Sequence, residues 1–172
     1  DVRAINQIEG WHNIKNIGFF LWRLRSYPVE KSMARPLKSN ALCYHFSSLG
    51  NPTPLFHHPL REGNETGLAQ EIHVPAPIRP TAFYNDLDAF ASGKSTAPIY
   101  YGVGKSIAII KDGAVVPATA IMCMNLKSCG TVPKGKVGVD VVHGRLAFPD
   151  GEGPQIGLLV YYHHGYSGDI GG

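Results

Sequence analysis

Long apolar runs are missing from this chain of 172 residues. None approaches the roughly 20 consecutive residues that a membrane-crossing helix needs, so no membrane span is expected. A dominant charge is missing too. Sixteen Lys and Arg against 13 Asp and Glu leave +3, scattered along the chain, which falls short of the basic stripe that nucleic-acid binding requires. Cysteine is scarce: three residues, an odd number, do not make a disulfide framework. Cys123 and Cys129 lie at a spacing that matches no common zinc knuckle. Cys43, Cys123 and Cys129 are therefore expected as buried or half-buried free thiols of a protein made in a reducing compartment. In that setting the Asn64-Glu65-Thr66 sequon is a chance match, because glycosylation requires a secretory route.

Glycine and proline are plentiful, at 20 and 13, while charged residues are only 17 %. That balance predicts a turn-rich β protein rather than a helical bundle. The length fits one domain, able to bury roughly 70 % of its unfolded surface. Asp1 rather than Met stands first, and Gly171-Gly172 is not a sequence that closes a packed element. Both features predict that the chain is part of a longer protein. Residues 1–164 are expected to form the domain, with residues 165–172 as a Gly-rich exit linker.

Residues 17–27 (IGFFLWRLRSY) alternate with period two: Phe20, Trp22 and Leu24 on one face, Phe19 and Leu21 on the other. Ile14, Ile17, Leu21 and Leu24 also line up at helical spacing, but aromatic density, Gly18 and Pro28 favour a strand. Residues 28–40 are polar and break structure. Residues 42–47 alternate Leu42, Tyr44 and Phe46 against Cys43, His45 and Ser47, a half-buried strand. Residues 52–80 are dense in proline and read as a long stiffened strap on the surface, with a docking role. Residues 81–91 are the one credible helix, with Phe83, Leu87 and Phe90 or Ala91 as its apolar face and Gly93 to close it. Asp112-Gly113 between apolar runs predicts a hairpin. Strands over 119–126, 137–142, 145–148 and 156–163 bring the set to roughly eight or nine.

Chemistry-bearing patterns are weak. Gly93-Lys94-Ser95 and Gly104-Lys105-Ser106 invite a phosphate-loop reading, but the position five before each second glycine is not glycine: Asp88 and Ile99 stand there. They read as turn glycines with solvated lysines. The adjacent pairs His57-His58 and His163-His164 point to opposite faces of an extended backbone. One zinc would need His45, His143 and a member of each pair to converge, and exposed or aromatic-stacked histidines are the simpler expectation. No nucleophile–base arrangement is visible. Asp86 and Asp88 do not share a helix face, and Asp140 reads as a turn organiser that also pairs with Arg145. Tyr100-Tyr101 and Tyr161-Tyr162 each place one ring outward on a strand. Trp22, Tyr101, Tyr161, Tyr162 and Tyr166 are therefore the candidate interface residues.

The order of motifs carries a resemblance. Asn16-Ile17-Gly18 through Phe20-Leu21-Trp22-Arg23-Leu24 and Ser26-Tyr27-Pro28 comes first. Leu49-Gly50-Asn51-Pro52-Thr53-Pro54-Leu55-Phe56 and Val74-Pro75-Ala76-Pro77-Ile78 come second. Gly102-Val103-Gly104-Lys105-Ser106 and Val139-Asp140 to Gly144-Arg145-Leu146-Ala147-Phe148 are next, before the tail from Tyr161 to Gly172. Over most of residues 16–172 the chain resembles an uncharacterised family of bacterial phage-tail-like proteins found with contractile injection systems. In that family a similar region precedes further sequence, often a predicted parallel β-helix. The resemblance implies a particle or accessory component and supplies no catalytic residues.

The expectation is thus a mainly antiparallel, sandwich-like β domain with one short helix. It is expected to be non-enzymatic, without cofactor or metal. It would serve as an assembly or attachment module that contacts other subunits of a tail-like particle, or itself, by strand addition and aromatic anchoring. Synthesis in the bacterial cytoplasm and assembly into a particle go with that reading. The alternatives are a glycan- or surface-binding β module and a histidine-based metal enzyme.

Overall fold

A computed structural model describes residues 21–60 and 70–171. The sequon and the beginning of the first predicted strand lie outside these residues. The chain is mainly β and sandwich-like, with two sheets and one α-helix among the described residues. The strands are β1 (Leu21–Met33), β2 (Arg35–Leu37), β3 (Asn40–His45), β4 (Ala108–Lys111), β5 (Ala114–Val115), β6 (Ile121–Cys123), β7 (Val137–Asp140), β8 (Arg145–Ala147) and β9 (Leu158–Gly171). Helix α1 spans Pro80–Ala91. One sheet runs β1-β9-β4-β5 and the other β2-β3-β8-β7-β6. Between these strands all pairings are antiparallel except β6 with β7.

Local chemistry accounts for several of these elements. Asp112 and Gly113 both adopt positive φ, 51° and 87°, the twist a two-residue hairpin between paired Lys111 and Ala114 demands. The Asp112 carboxylate also accepts the N–H groups of Gln155, Ile156 and Gly157, and these bonds hold its pKa below the ordinary value. Helix α1 begins with Pro80, whose missing N–H costs nothing there. Phe83 and Leu87 face the core, and Gly93 closes the helix at φ 73°. Asp86 anchors the helix to the segment after it, accepting the N–H groups of Ile99 and Tyr100.

Several expectations are corrected. Residues 28–40 do not break structure, because β1 continues to Met33 and β2 comes directly after it. Pro28 and Pro36 are tolerated since both strands lie at sheet edges, where a missing N–H leaves no ladder bond unmade. Residues 165–171 are not a free linker: they extend β9 along β1, with Tyr166 opposite Arg25 and Gly171 opposite Leu21. The strand expected over 119–126 is reduced to three residues, after a 3₁₀ turn at Ala118–Ala120.

The Pro-rich strap does not lie wholly on the surface, as its described residues show. Leu55, His57 and Ile78 are buried. The Leu55 N–H donates to Val141 O and the Phe56 N–H to His163 O, so consecutive residues tie into the two different sheets. The returning limb closes on the first through Ile78 N–H to Leu55 O and His57 N–H to Ala76 O. Strap and sheets share the main core, with Phe46, Leu55, Phe83, Tyr101, Ile109 and Leu146.

A second, smaller core holds Cys43, Leu126, Val132 and Ala147. Cys43 and Cys129 are joined there by a disulfide, with Cα atoms 6.0 Å apart. The expectation of three free thiols is thus corrected, and only Cys123 is free. Strand alternation, which turns Cys43 away from Tyr44 and Phe46, aims it at the loop after β6. No helix among the described residues is long and apolar enough to cross a membrane.

Candidate docking surface and the cleft beside Asp140

The far end of the β1–β9 pair is a two-stranded ribbon. Residues 21–25 of β1 are all exposed, so neither face of this stretch is covered. Large apolar side chains lie open along it: Leu21, Trp22 (57 % exposed), Leu24 and, on β9, Tyr166 (66 % exposed). Arg25 clamps the strands by donating from Nη2 to Asp169 Oδ2 at 2.8 Å. A Cβ at Gly168 would collide with the Arg25 side chain, so the bare glycine makes room for that clamp. Among the described residues β1 pairs with β9 alone, which leaves its other edge of backbone N–H and C=O groups open.

The expected interface residues divide. Trp22 and Tyr166 stand on the ribbon, and Tyr161 is half-buried on β9. Tyr101 and Tyr162 are core residues. Tyr101 is 2 % exposed and gives its hydroxyl hydrogen to Val116 O at 2.7 Å, and burial holds its pKa well above the ordinary tyrosine value. Tyr162 packs edge-on against Phe46 at 5.8 Å. Tyr100 lies in a bend and Tyr101 in a single β-bridge to Ile107 rather than in a strand, so the inward–outward alternation assumed for them does not apply. Leu21 and Leu24 are surface residues that alternation does not identify, because it assigns one face of that run to a core.

At the root of the ribbon the two histidine pairs meet. The His58 and His163 rings cross at 4.8 Å and His164 leans on Tyr27 at 5.7 Å. His163 Nδ1–H donates to Ser106 O at 3.2 Å, while Ser106 Oγ accepts the His58 N–H at 2.9 Å. The second Gly-Lys-Ser motif therefore anchors the strap. Burial chiefly holds the His163 pKa below its ordinary value, helped by His58 and His164 and opposed by the Ser106 bond and Glu30. Among the described residues no three ligating side chains converge on a metal position, so the His45–His143 zinc set does not assemble.

A cleft of about 510 Å³ opens where α1 begins and β6 and β7 end. Its lining includes Tyr84, Cys123, Asn125, Asp140, Val142 and His143. Asp140 is 4 % exposed. Its carboxylate accepts the N–H groups of Val142, His143 and Leu126 and the His143 Nδ1–H, at 2.7–3.0 Å. Burial opposes the charge, yet these bonds outweigh it and keep the pKa below the ordinary value. The turn-organiser reading of Asp140 agrees with this geometry. The expected pair with Arg145 does not form, because Arg145 gives Nη1 to the carbonyls of Leu126 and Lys127.

Cys123 does not complete a nucleophile–base set with this histidine. Burial, with a smaller push from Asp140, raises the thiol pKa to about 11, and its Sγ–H points to Pro80 O at 3.5 Å. Cys123 is opposite Val139, whose neighbour Asp140 projects from the other face of the sheet. Nothing in the cleft generates a thiolate near neutral pH.

No family model, curated protein or solved structure matches this chain.

Proposed function

We propose that this chain is an assembly module that docks neighbouring subunits of a phage-tail-like particle through the β1–β9 ribbon. The observation that carries the reading is the ribbon itself. It is an open β edge, uncovered on both faces, that displays Leu21, Trp22, Leu24 and Tyr166. An added strand would satisfy the free backbone groups of β1, and the exposed rings would supply the anchoring area. The tail-like setting comes from the order of motifs in the sequence.

The test is sedimentation velocity on the chain, alone and mixed with purified tail-tube or baseplate protein. Association is expected, and Leu24→Lys together with Trp22→Ala should abolish it while leaving the far-ultraviolet circular dichroism unchanged. A chain that stays monomeric and binds no tail component sinks the reading. The exposed Trp22 and Tyr166 rings also support a second reading, a surface module that stacks on sugars. A glycan array without hits removes that one.

A further inference from the structure

Antiparallel register lines up four ionisable residues across the second sheet. Arg35 on β2 is opposite His45 on β3, His45 is opposite Arg145 on β8, and Arg145 is opposite Asp140 on β7. Directly opposed residues project from the same face, so these four form one row beside the smaller core. Like charges placed opposite one another repel. Asp140 is at the end of the row and makes no hydrogen bond to Arg145, whose Nη1 goes to the carbonyls of Leu126 and Lys127.

Two nitrogens in the middle of the row have no partner among the described residues. His45 Nδ1 and Arg145 Nε are both buried without a hydrogen bond, and His45 as a residue is only 7 % exposed. Buried polar groups are almost always satisfied, so an orphaned pair in one cationic row points to an acceptor that comes from elsewhere. Next to His45 opens a hollow of about 450 Å³, lined also by Arg35, Lys38, Ser39 and Gly50, with no carboxylate in its wall.

The hollow is built around Arg35. Gly50, at φ +78°, has no Cβ where one would sit 3.1 Å from Arg35 Cδ, so the arginine stem lies against the turn. Among the described residues the Arg35 guanidinium makes one long hydrogen bond, from Nη1 to Ser48 O at 3.4 Å. Neither Arg35 nor Lys38 has an ion-pair partner among the described residues.

We infer that this hollow is an oxyanion site, taking a phosphate or sulfate group against Arg35, Lys38 and His45 with Arg145 behind. Such a group offers several acceptor oxygens, and the planar guanidinium fork matches it. The site stands apart from the ribbon, so it holds or fails independently of the assembly reading.

Binding is coupled to a proton. Burial first, and then the charge of Arg145, keep the His45 pKa below its ordinary 6.5. Arg35 on β2, Lys38 in the hairpin turn, Arg145 on β8 and Asp140 beyond it are the charged groups around the ring. A bound anion favours the imidazolium, so affinity for sulfate, whose charge is constant in this range, rises as pH falls toward the lowered His45 pKa.

The experiment is titration of the whole chain with inorganic phosphate, following the His45 ring protons by NMR and the affinity by calorimetry. Saturable binding is expected, with a rise in the His45 titration midpoint, and in the sulfate arm it is tighter at lower pH. Arg35→Gln should weaken it by about tenfold or more, the loss of one charged hydrogen bond. Lys38→Gln, in an exposed turn, is the second variant should Arg35→Gln fail to fold. Inorganic sulfate and glycerol 3-phosphate form the other arms. Equal affinities mean that the group alone is read, and a tighter ester means that it is read at the end of a larger molecule. Unchanged His45 signals, a non-saturable response, or equal binding by the wild type and the folded variants overturns the proposal.

Discussion

Asp140 shows how much one side chain can organise. Its carboxylate fixes the turn after β7 through Val142 and His143 and reaches across to the loop at Leu126. Asp140→Asn keeps the shape but loses the charge and swaps one acceptor for a donor. A loss of about 2 kcal/mol is expected in urea denaturation, the size of a charge-assisted bond. With its folded pKa below the ordinary 3.8, Asp140 contributes stability above that pH and loses it as the solution is acidified further.

The buried histidines act in a different window. His45 and His163 both have folded pKa values below 6.5, so the unfolded chain binds more protons as pH falls past that value. Stability should decline from about pH 6.5 downward, well before the carboxylates titrate. Thermal melts across pH 7.5 to 5 (roughly the range in which unperturbed imidazoles titrate) check this. A flat midpoint would contradict it.

Among the elements, those ruled by local chemistry were legible in the sequence. The Asp112-Gly113 hairpin, the helix from Pro80 to Ala91 and the strands around Cys43, Val139 and Leu146 need only turn preference and periodicity. Elements decided by distant partners were not. The strap reads as Pro-stiffened and superficial, yet Leu55, Phe56, His57 and Ile78 within it are buried. Cys43 and Cys129 are 86 residues apart, and sequence spacing says nothing about such a pair. The Arg35–His45–Arg145 row needs strand register, which single-sequence patterns do not supply.

Two predictions belong at this scale. A Cβ at Gly165 would collide with the Phe56 ring, the residue that ties the strap to β9. Gly165→Val should cost about 2 kcal/mol and expose residues 52–60 to limited proteolysis ahead of global unfolding. Reduction of the Cys43–Cys129 bond frees an 86-residue loop in the unfolded chain. The loop-entropy relation puts the loss at about 4.5 kcal/mol, readable as a lower melting midpoint in reductant. Cys43→Ala with Cys129→Ala should reproduce it, and an unshifted midpoint would show that the bond does not form in solution.

At the scale of the whole molecule, two sheets are held together from inside. Residues of the strap hydrogen-bond to β9 on one side and to the turn after β7 on the other, while α1 lies over the end of β6. Among the described residues that arrangement leaves the ribbon with little tertiary support, since residues 21–25 are exposed and pair with β9 alone. Hydrogen exchange should therefore be fast at residues 21–25 and 166–170 and slow at Ile109, Val139 and Val160. Protection of the ribbon on mixing with a partner would locate the docking strand directly.

The pairing of Leu21 with Gly171 also sets how the molecule yields to tension. Force applied at these two residues pulls neighbouring ends of an antiparallel pair apart, so the backbone bonds break in succession instead of shearing together. The ribbon would peel at low load as far as the histidine crossing, while the disulfide keeps residues 43–129 from lengthening at all. Strung between moving bodies, the chain would behave as a short extensible tether backed by a hard stop.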